Sequence, residues 1–459
     1  MRARSQQIAP TKGIGLFAVF VFVLTAVPRL SVKFGPVPIY FLDLLIGLML
    51  LMALNKPGFT GRHRPFAFLV GLIFLFAIAG EVAGLITGGR LLETVYIVGR
   101  TTLAFSVFYI TTQFIRNAKD LEVVLKAAIL GVIVTACLMI LTSLPQTRGA
   151  ITGAVFSIPM LEPAASSVVE KYIDSGEGGV RGRTLVGVSI LGATFLNILW
   201  PHAALLLRWP VYIGSWRWIA GVACLLAPMG VIMSYSRGPI LGSILLILAA
   251  VVLSVSRVRR GILLPVLLSA GLIAVVGVGS QLFFFDRLAN RTEAVFEDPT
   301  ADERESERLF AYTEPFVHVL EHPRFLIIGE GNTISQTGGP SESAGKATHA
   351  VFAAGYYSYG MLTAFLIWYL ILRALFVANR FRRKAKGTMA ELQAQALTLS
   401  MLAILPWAVF GHAIVSTPRG TMIFFLQVGL VAALSRLPSR STSKPLRPFN
   451  YVYRRNTAV

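Results

Sequence analysis

The sequence predicts an all-α polytopic membrane protein with about 12 transmembrane helices, and three observations lead there. Hydrophobic residues make up 55% of the 459 and charged residues 14%; the resulting mean hydropathy, +0.69, is far above that of a soluble globular chain. The apolar residues gather in stretches of about 17–25, the length a helix needs to cross a hydrocarbon core of roughly 30 Å. Basic residues recur at every second connection between those stretches, as alternating exposure to two sides of a membrane requires.

The stretches follow one another along a single integral membrane domain, 1–459. The first, 13–29, is followed by no convincing cleavage site, so it is expected to remain as an anchor. Span two, 35–54, carries Asp43; span three, 66–87, carries Glu81; span four, 92–115, carries Arg100. Span five, 121–144, leads into a long polar connection, 145–183, and span six, 184–207, follows it. Spans seven and eight, 217–235 and 238–256, are separated by Ser-Tyr-Ser-Arg-Gly-Pro. Span nine, 261–284, opens a large hydrophilic loop, 285–350, expected to contain short helices. Spans ten to twelve, 351–378, 394–414 and 417–435, precede a basic tail, 436–459.

Charge orients this array. The termini and every second connection hold 24 Lys and Arg, whereas the intervening short connections hold five. By the positive-inside rule both termini face the cytoplasm and the two long loops face outward. The formal charge of +20 is thus an orientation signal and calls for no nucleic-acid partner. Cys137 and Cys224 both fall inside spans, which suggests neither a disulfide framework nor a thiolate metal site.

At 1.5 Å of rise per residue, Asp43, Glu81 and Arg100 all come to the outer half of the membrane, Asp43 about 12 Å below the outer end of span two. Arg100 either pairs with Asp43 or Glu81 to hold helices together or lines an outward-facing polar cavity with Arg237 at its floor. The inner half has almost no ionisable side chain beyond Lys126 and Arg373, a pattern that disfavours a proton path through the bilayer.

Three external stretches carry unusual chemistry. In "GEGGVRGRTLVG", Arg181 and Arg183 stand among glycines, where the backbone can approach a ligand and a guanidinium can bind phosphate oxygens bidentately; snorkelling interfacial arginines are the alternative. In "SYSRGP", Arg237 stands where a new helix starts, with Ser234, Ser236 and the first amides of span eight in position to hold an anion. In the large loop, Leu309, Tyr312, Phe316, Val319 and Leu320 recur at helical spacing, as in an amphipathic helix lying on the membrane or capping a cavity. His349 closes that loop; a lone histidine at a helix entrance is more often an N-terminal or interfacial residue than a catalyst, and His318, His322 and His412 read the same way.

With these stretches in order, the chain resembles the O-antigen ligase and O-antigen polymerase superfamily of bacterial envelope glycosyltransferases, of GT-C type. The resemblance rests on "SYSRG" at 234–238, "EHPRFLIIGEGN" within 308–332, and "THAVFAAGYYSYGMLTAF" at 348–365, where Gly355 and Gly360 stand. It implies a donor glycan on a polyprenyl (undecaprenyl) diphosphate and a saccharide acceptor, lipid A core or growing polysaccharide. It also implies surrounding membrane lipids and a place in the bacterial inner membrane, with both long loops periplasmic. Arg237 and Arg183, or Arg181 in its place, are assigned to the diphosphate, with Arg308 and Ser236 in support, and His349 to catalysis. Where the family commonly has His-Asn, this sequence has His349-Ala350.

The implied transfer breaks an anomeric C–O bond with diphosphate as leaving group. Guanidiniums neutralise the charge that develops on phosphate, and a neutral imidazole takes the proton of the acceptor hydroxyl, so the anomeric centre inverts. No cofactor is implied. The first external loop, "RLSVKFGPVP", lacks the acidic pair with which many lipid-linked glycosyltransferases hold a divalent cation, and "EDPTADERESE" at 297–307 reads as a solvated acidic face, so a metal-independent route is expected. A polysaccharide polymerase of the same superfamily fits the motifs as well as a ligase does. A flippase or transporter would need ionisable groups reaching both faces or a visible repeat, and a shape or division protein would share only the span number.

Overall fold

A computed structural model describes residues 10–27, 30–34, 37–56, 64–144, 147, 150–151, 189–206, 215–234, 236–253, 313–331, 351–385, 389–410, 414 and 417–437. Five long or apolar helices open the chain: α1 (Ile14–Ala26), α2 (Phe41–Leu54), α3 (Ala67–Ile86), α4 (Leu91–Phe114) and α5 (Ala118–Ser143). After residue 151 come α6 (Ser189–Leu206), α7 (Ser215–Met233) and α8 (Arg237–Leu253). The second half has a short helix α9 (313–321), a 3₁₀ turn (Pro323–Leu326), α10 (Val351–Tyr359), α11 (Met361–Lys384), α12 (Met389–Phe410) and α13 (Pro418–Leu434). Six of these helices are long and apolar enough to cross a membrane, and four shorter ones are apolar over 10–17 residues. The chain is therefore a helical, polytopic membrane protein. Expected span nine lies outside the described residues, as do most of the two long loops and nearly all of the tail.

Two expected elements take a different form. Span two begins as an antiparallel hairpin, β1 (Ser31–Phe34) paired with β2 (Val37–Tyr40), and its helix starts only at Phe41. Val32, Phe34, Val37 and Ile39 alternate with period two across the hairpin, a strand signal that a long hydropathy window averages away. Asp43 consequently sits about 3 Å from its helix start rather than 12 Å below it. Span ten is not one helix either. It breaks at Gly360, whose φ of 95° and ψ of 160° belong to no helix, and folds back so far that a Cβ on Gly355 would lie 3.4 Å from the Ala364 Cα.

Helix pairs close on small residues and polar side chains, as expected where hydrocarbon surrounds the bundle. Gly131 of α5 receives the Thr25 side chain of α1, and Thr135 Oγ1 donates to the Thr25 carbonyl at 2.7 Å. Gly230 of α7 approaches the Ala136 backbone of α5, and Gly429 of α13 receives Thr111 of α4 beside the Phe105–Phe425 ring pair. Between α6 and α12, Ser400 Oγ donates to the Ile198 carbonyl at 2.6 Å and lies 3.1 Å from His202 Nε2. Outward, Leu241, Leu245, Leu248 and Val252 of α8 and Leu362, Phe365, Leu372 and Phe376 of α11 form exposed apolar stripes, the faces suited to lipid.

One end of the bundle is clasped by polar contacts. Asp120, fully buried, accepts from the Thr11 amide (2.7 Å), Thr11 Oγ1 (2.6 Å) and the amides of Arg116 (2.9 Å) and Asn117 (3.2 Å), completing the capping box of α5. Lys56 Nζ donates to the Lys12 carbonyl at 2.8 Å, and Arg436, just past α13, donates to the Thr112 carbonyl at 2.7 Å. The beginning and the end of the described chain thus meet at one end of the bundle. Asp120→Ala strands several buried donors and is expected to cost about 2–4 kcal/mol, read as a lower melting temperature of the detergent-purified protein.

Candidate functional site

The Ser-Tyr-Ser-Arg-Gly stretch is a tight turn between two buried helix ends. Helix α7 stops at Met233, where Ser234 Oγ donates to the Val231 carbonyl at 2.6 Å. The Ser236 amide then donates to Ser234 Oγ, and Ser236 Oγ to the Ser234 carbonyl, both at 3.2 Å. Both serines are buried, so the turn satisfies its own polar groups and Ser236 keeps only its lone pairs for a ligand. Arg237 is the first residue of α8, with Pro239 in the first turn, where a missing amide proton costs nothing. Asn197 of α6 fixes that turn by donating to the Pro239 carbonyl at 2.7 Å and accepting from Ser243 Oγ at 2.5 Å. The backbone of Arg237 is therefore tied in place at the start of α8. Its side chain, together with Arg181, Arg183, Arg308 and His349, lies outside the described residues.

The second part of the site is the middle segment of the large loop, 313–331, seated on α10. Phe316 and Val319 fall inside α9 as their spacing predicts: Phe316 stacks on Phe352 with centroids 5.5 Å apart, and Val319 packs on the cluster of Phe325, Tyr356 and Tyr357. The same helix presents Leu320 outward at 80% exposure. Within the cluster, His318 Nδ1 lies 2.7 Å from Tyr356 Oη. Burial among these rings and the neighbouring His322 imidazole lower the His318 pKa, while the carboxylates of Glu314, Glu330 and Glu321 pull it back in part. His318 is thus a neutral packing histidine near neutral pH.

Glycines then let three pieces of backbone touch. Gly329 and Gly331 of the Gly-Glu-Gly stretch lie against the Tyr357–Tyr359 backbone and against Glu81 of α3. Gly80 and Gly84 of α3 meet the carbonyls of Ser358 and Glu330, and Gly360 meets that of Ile327. Gly331 and Gly360 also have positive φ, 77° and 95°, a conformation that side chains penalise. The Glu330 amide donates to the Tyr357 carbonyl at 2.8 Å, and Arg324 pairs with Glu330 at 2.9 Å. This seat fixes the chain immediately after residue 350 and just before 332. Nothing in residue type announced Gly80 and Gly84 as part of it; both read as ordinary small residues of a span.

Of the charges expected in the outer half, Arg100 takes Asp43, with Nε 3.2 Å from Oδ2, and lies over the Tyr40 ring at 4.2 Å. Glu81 is buried on α3 against the Gly331 backbone. Of the charges expected in the inner half, Lys126 pairs with Glu122 at 2.8 Å, and Arg373 donates to Tyr369 Oη at 2.7 Å.

No curated protein matches the chain. Its central portion does match a family description: residues 222–367, which contain the serine–arginine turn, all of α8 to α10 and the glycine-seated loop, fit the model for O-antigen ligase. Over those residues, about a third of the chain, the protein is similar to the O-antigen ligase family.

Proposed function

We propose that the protein is an O-antigen ligase-like glycosyltransferase of the bacterial inner membrane. It moves a glycan from a polyprenyl diphosphate carrier to an acceptor sugar hydroxyl at the periplasmic face, in lipopolysaccharide or surface polysaccharide assembly. The observation that carries this reading is the family match over 222–367, which encloses both Arg237, on its buried turn, and the loop leading to His349. In the proposed mechanism Arg237 and Arg183 donate to the diphosphate oxygens, with Arg181 in the same role and Arg308 in support; Ser236 joins them only by turning its hydroxyl proton from the Ser234 carbonyl to the ligand. His349 accepts the proton as the acceptor hydroxyl attacks the anomeric carbon, the C–O bond to diphosphate breaks, and diphosphate leaves with the electron pair. The configuration inverts because attack comes from the face opposite the leaving group.

The tied start of α8 supports this role, since a guanidinium that neutralises a leaving group acts best when its position is set beforehand. A fixed outer-leaflet seat for 326–331 likewise supports a lid over the donor's sugar. The cell-level test is the glycan profile of a deletion strain. Long polymer accumulating on the polyprenyl carrier identifies a ligase; single repeat units in place of polymer identify the polymerase of the same superfamily. Unchanged surface glycan sinks both.

The metal-free route has its own expected result. Purified enzyme treated with EDTA retains its transfer rate within about twofold, whereas loss of a Lewis acid would cost several kcal/mol of transition-state stabilisation. Activity that disappears with EDTA and returns with magnesium or manganese overturns that part of the mechanism.

A further inference from the structure

The described part of the large loop carries an apolar surface that the transfer reading leaves unused. On α9, at about 100° per residue, Phe316 and Val317 bound an arc of about 100° that contains Leu320, whereas Glu314 and Glu321 share a line outside it. These three apolar residues are exposed, and Leu326, Ile327 and Ile328 add exposed side chains from the turn that follows. Six large apolar side chains within 316–328 are more than scattered surface residues, and such a concentration marks a surface that meets something other than water.

Two observations put lipid there. The first is depth. The segment is seated on the last turns of α3, a helix long and apolar enough to cross a membrane: Gly331 lies against Glu81 and the Gly80 carbonyl, and Gly84 meets the Glu330 carbonyl. Gly80 and Gly84 precede Ile86, the last residue of α3, by six and two positions, so this contact lies about 3–9 Å inside the helix end. It is the end away from the polar clasp, where Arg64, just before α3, reaches Thr112. At the same level α3 turns Val82 and Ile86 outward. The second observation is continuity with a face suited to lipid. Phe316 stacks on Phe352 of α10, and Phe352 packs edge-on against Phe365 of α11 with centroids 5.2 Å apart. Phe365 belongs to the exposed stripe of α11, so this chain of rings carries that stripe onto α9. Gly360, one residue before α11, meets the Ile327 carbonyl, which sets 326–328 where the same stripe begins at Leu362.

We propose that α9 and the 3₁₀ turn form a membrane-inserted element, with Phe316, Val317, Leu320, Leu326, Ile327 and Ile328 among the acyl chains of the leaflet at that end of the bundle. Glu321 and Arg324, both exposed, then stand at the level of the lipid headgroups, as charged residues beside a buried apolar face do. Val319 packs the other way, onto the ring cluster of α10, so the loop is held between protein on one side and lipid on the other. The inference does not depend on the transfer reading or on any residue assigned to the donor.

Electron paramagnetic resonance on the full chain in lipid nanodiscs tests this, with a nitroxide placed singly at Val317→Cys, Leu320→Cys or Ile327→Cys and with oxygen and a polar nickel chelate as collision partners. Leu372→Cys, on the exposed stripe of α11, gives the lipid reference, and Lys119→Cys, exposed at the clasped end, the water reference. The wild-type chain, which carries only Cys137 and Cys224, gives the background. All three loop labels should match Leu372→Cys, with nickel collisions about tenfold below those at Lys119→Cys, the exclusion that hydrocarbon imposes on unpaired polar groups. Loop labels that match Lys119→Cys overturn the proposal. Labels shielded from both reagents overturn it too, and spin–spin broadening that vanishes on dilution with unlabelled protein then identifies a second copy of the chain as the cover. If the labelled variants do not fold, a diazirine-bearing phospholipid in the same nanodiscs decides the matter on the wild-type chain. Photoadducts within 316–328 uphold the proposal; their absence, with adducts on α11 present, overturns it.

Discussion

His349→Ala lowers glycan transfer by about 10²–10⁴-fold, the usual worth of a positioned general base, and Arg237→Ala lowers it by about 10²–10³-fold, the worth of a fixed donor to developing charge. The two losses overlap in the double variant, because each group serves one transition state and a site already missing its base gains little from its phosphate ligand. Arg237→Lys keeps the charge but not the bidentate fork, and falls between wild type and Ala. The measurement is transfer from polyprenyl diphosphate-linked glycan in membranes normalised for protein content, repeated across pH. A neutral imidazole base makes the wild-type rate fall as the pH drops through the range near 6.5, where histidine ordinarily gains its proton, and His349→Ala removes that limb from whatever activity remains. A variant with full activity at either position shows that its group does not act in the reaction. If His349→Ala alone stays active, the arginine clamp stands and the base is to be sought at Glu330 or Tyr312.

Membrane character and most helix positions were legible because hydropathy and basic-residue placement report directly on burial in lipid. The elements that went unread are those whose cause is backbone conformation. In 31–40 the strand pattern is only four residues long on each side, so it vanishes within a window sized for a helix, and with it went the true depth of Asp43. At 351–378 every residue suits a span, yet Gly360 takes a φ of 95° and turns the chain. Hydropathy carries no term for φ, and a single glycine inside an apolar run is common in membrane helices. The candidate site divides in the same way. The serine–arginine turn announces itself because Gly-Pro after a charge cannot continue a helix. The seat for 326–331 does not, because Gly80 and Gly84 matter through space, against carbonyls more than 240 residues away in the chain. Asp43 and Glu81 were both possible partners for Arg100 on depth alone; only the three-dimensional placement of α2 against α4 brought Asp43 to it.

Gly360→Val carries the largest expected effect on the fold. The backbone there has φ 95° and ψ 160°, a region that a β-branched residue enters at a cost of about 1–3 kcal/mol. A Cβ at this position would also stand 2.6 Å from the Ile327 carbonyl oxygen and 2.8 Å from the Ile328 nitrogen, and those are main-chain atoms that cannot swing aside. Relieving the overlap means lifting the 3₁₀ turn and the Gly-Glu-Gly stretch off α10 and α3, which adds about 1–3 kcal/mol in lost packing. The sum is large against the margin of a typical domain. The variant should therefore show a clearly lower melting temperature in detergent and reduced yield from membranes. Gly99→Ala, placed on α4 where a Cβ meets nothing within 4 Å, should melt as the wild type does. Transfer measured per mole of folded Gly360→Val protein should fall as well, because the same seat fixes the chain at Val351, two residues after His349. If melting is unchanged, the break at Gly360 is not needed to seat the loop. If melting falls while the rate per folded molecule holds, the seat stabilises the protein without positioning its chemistry.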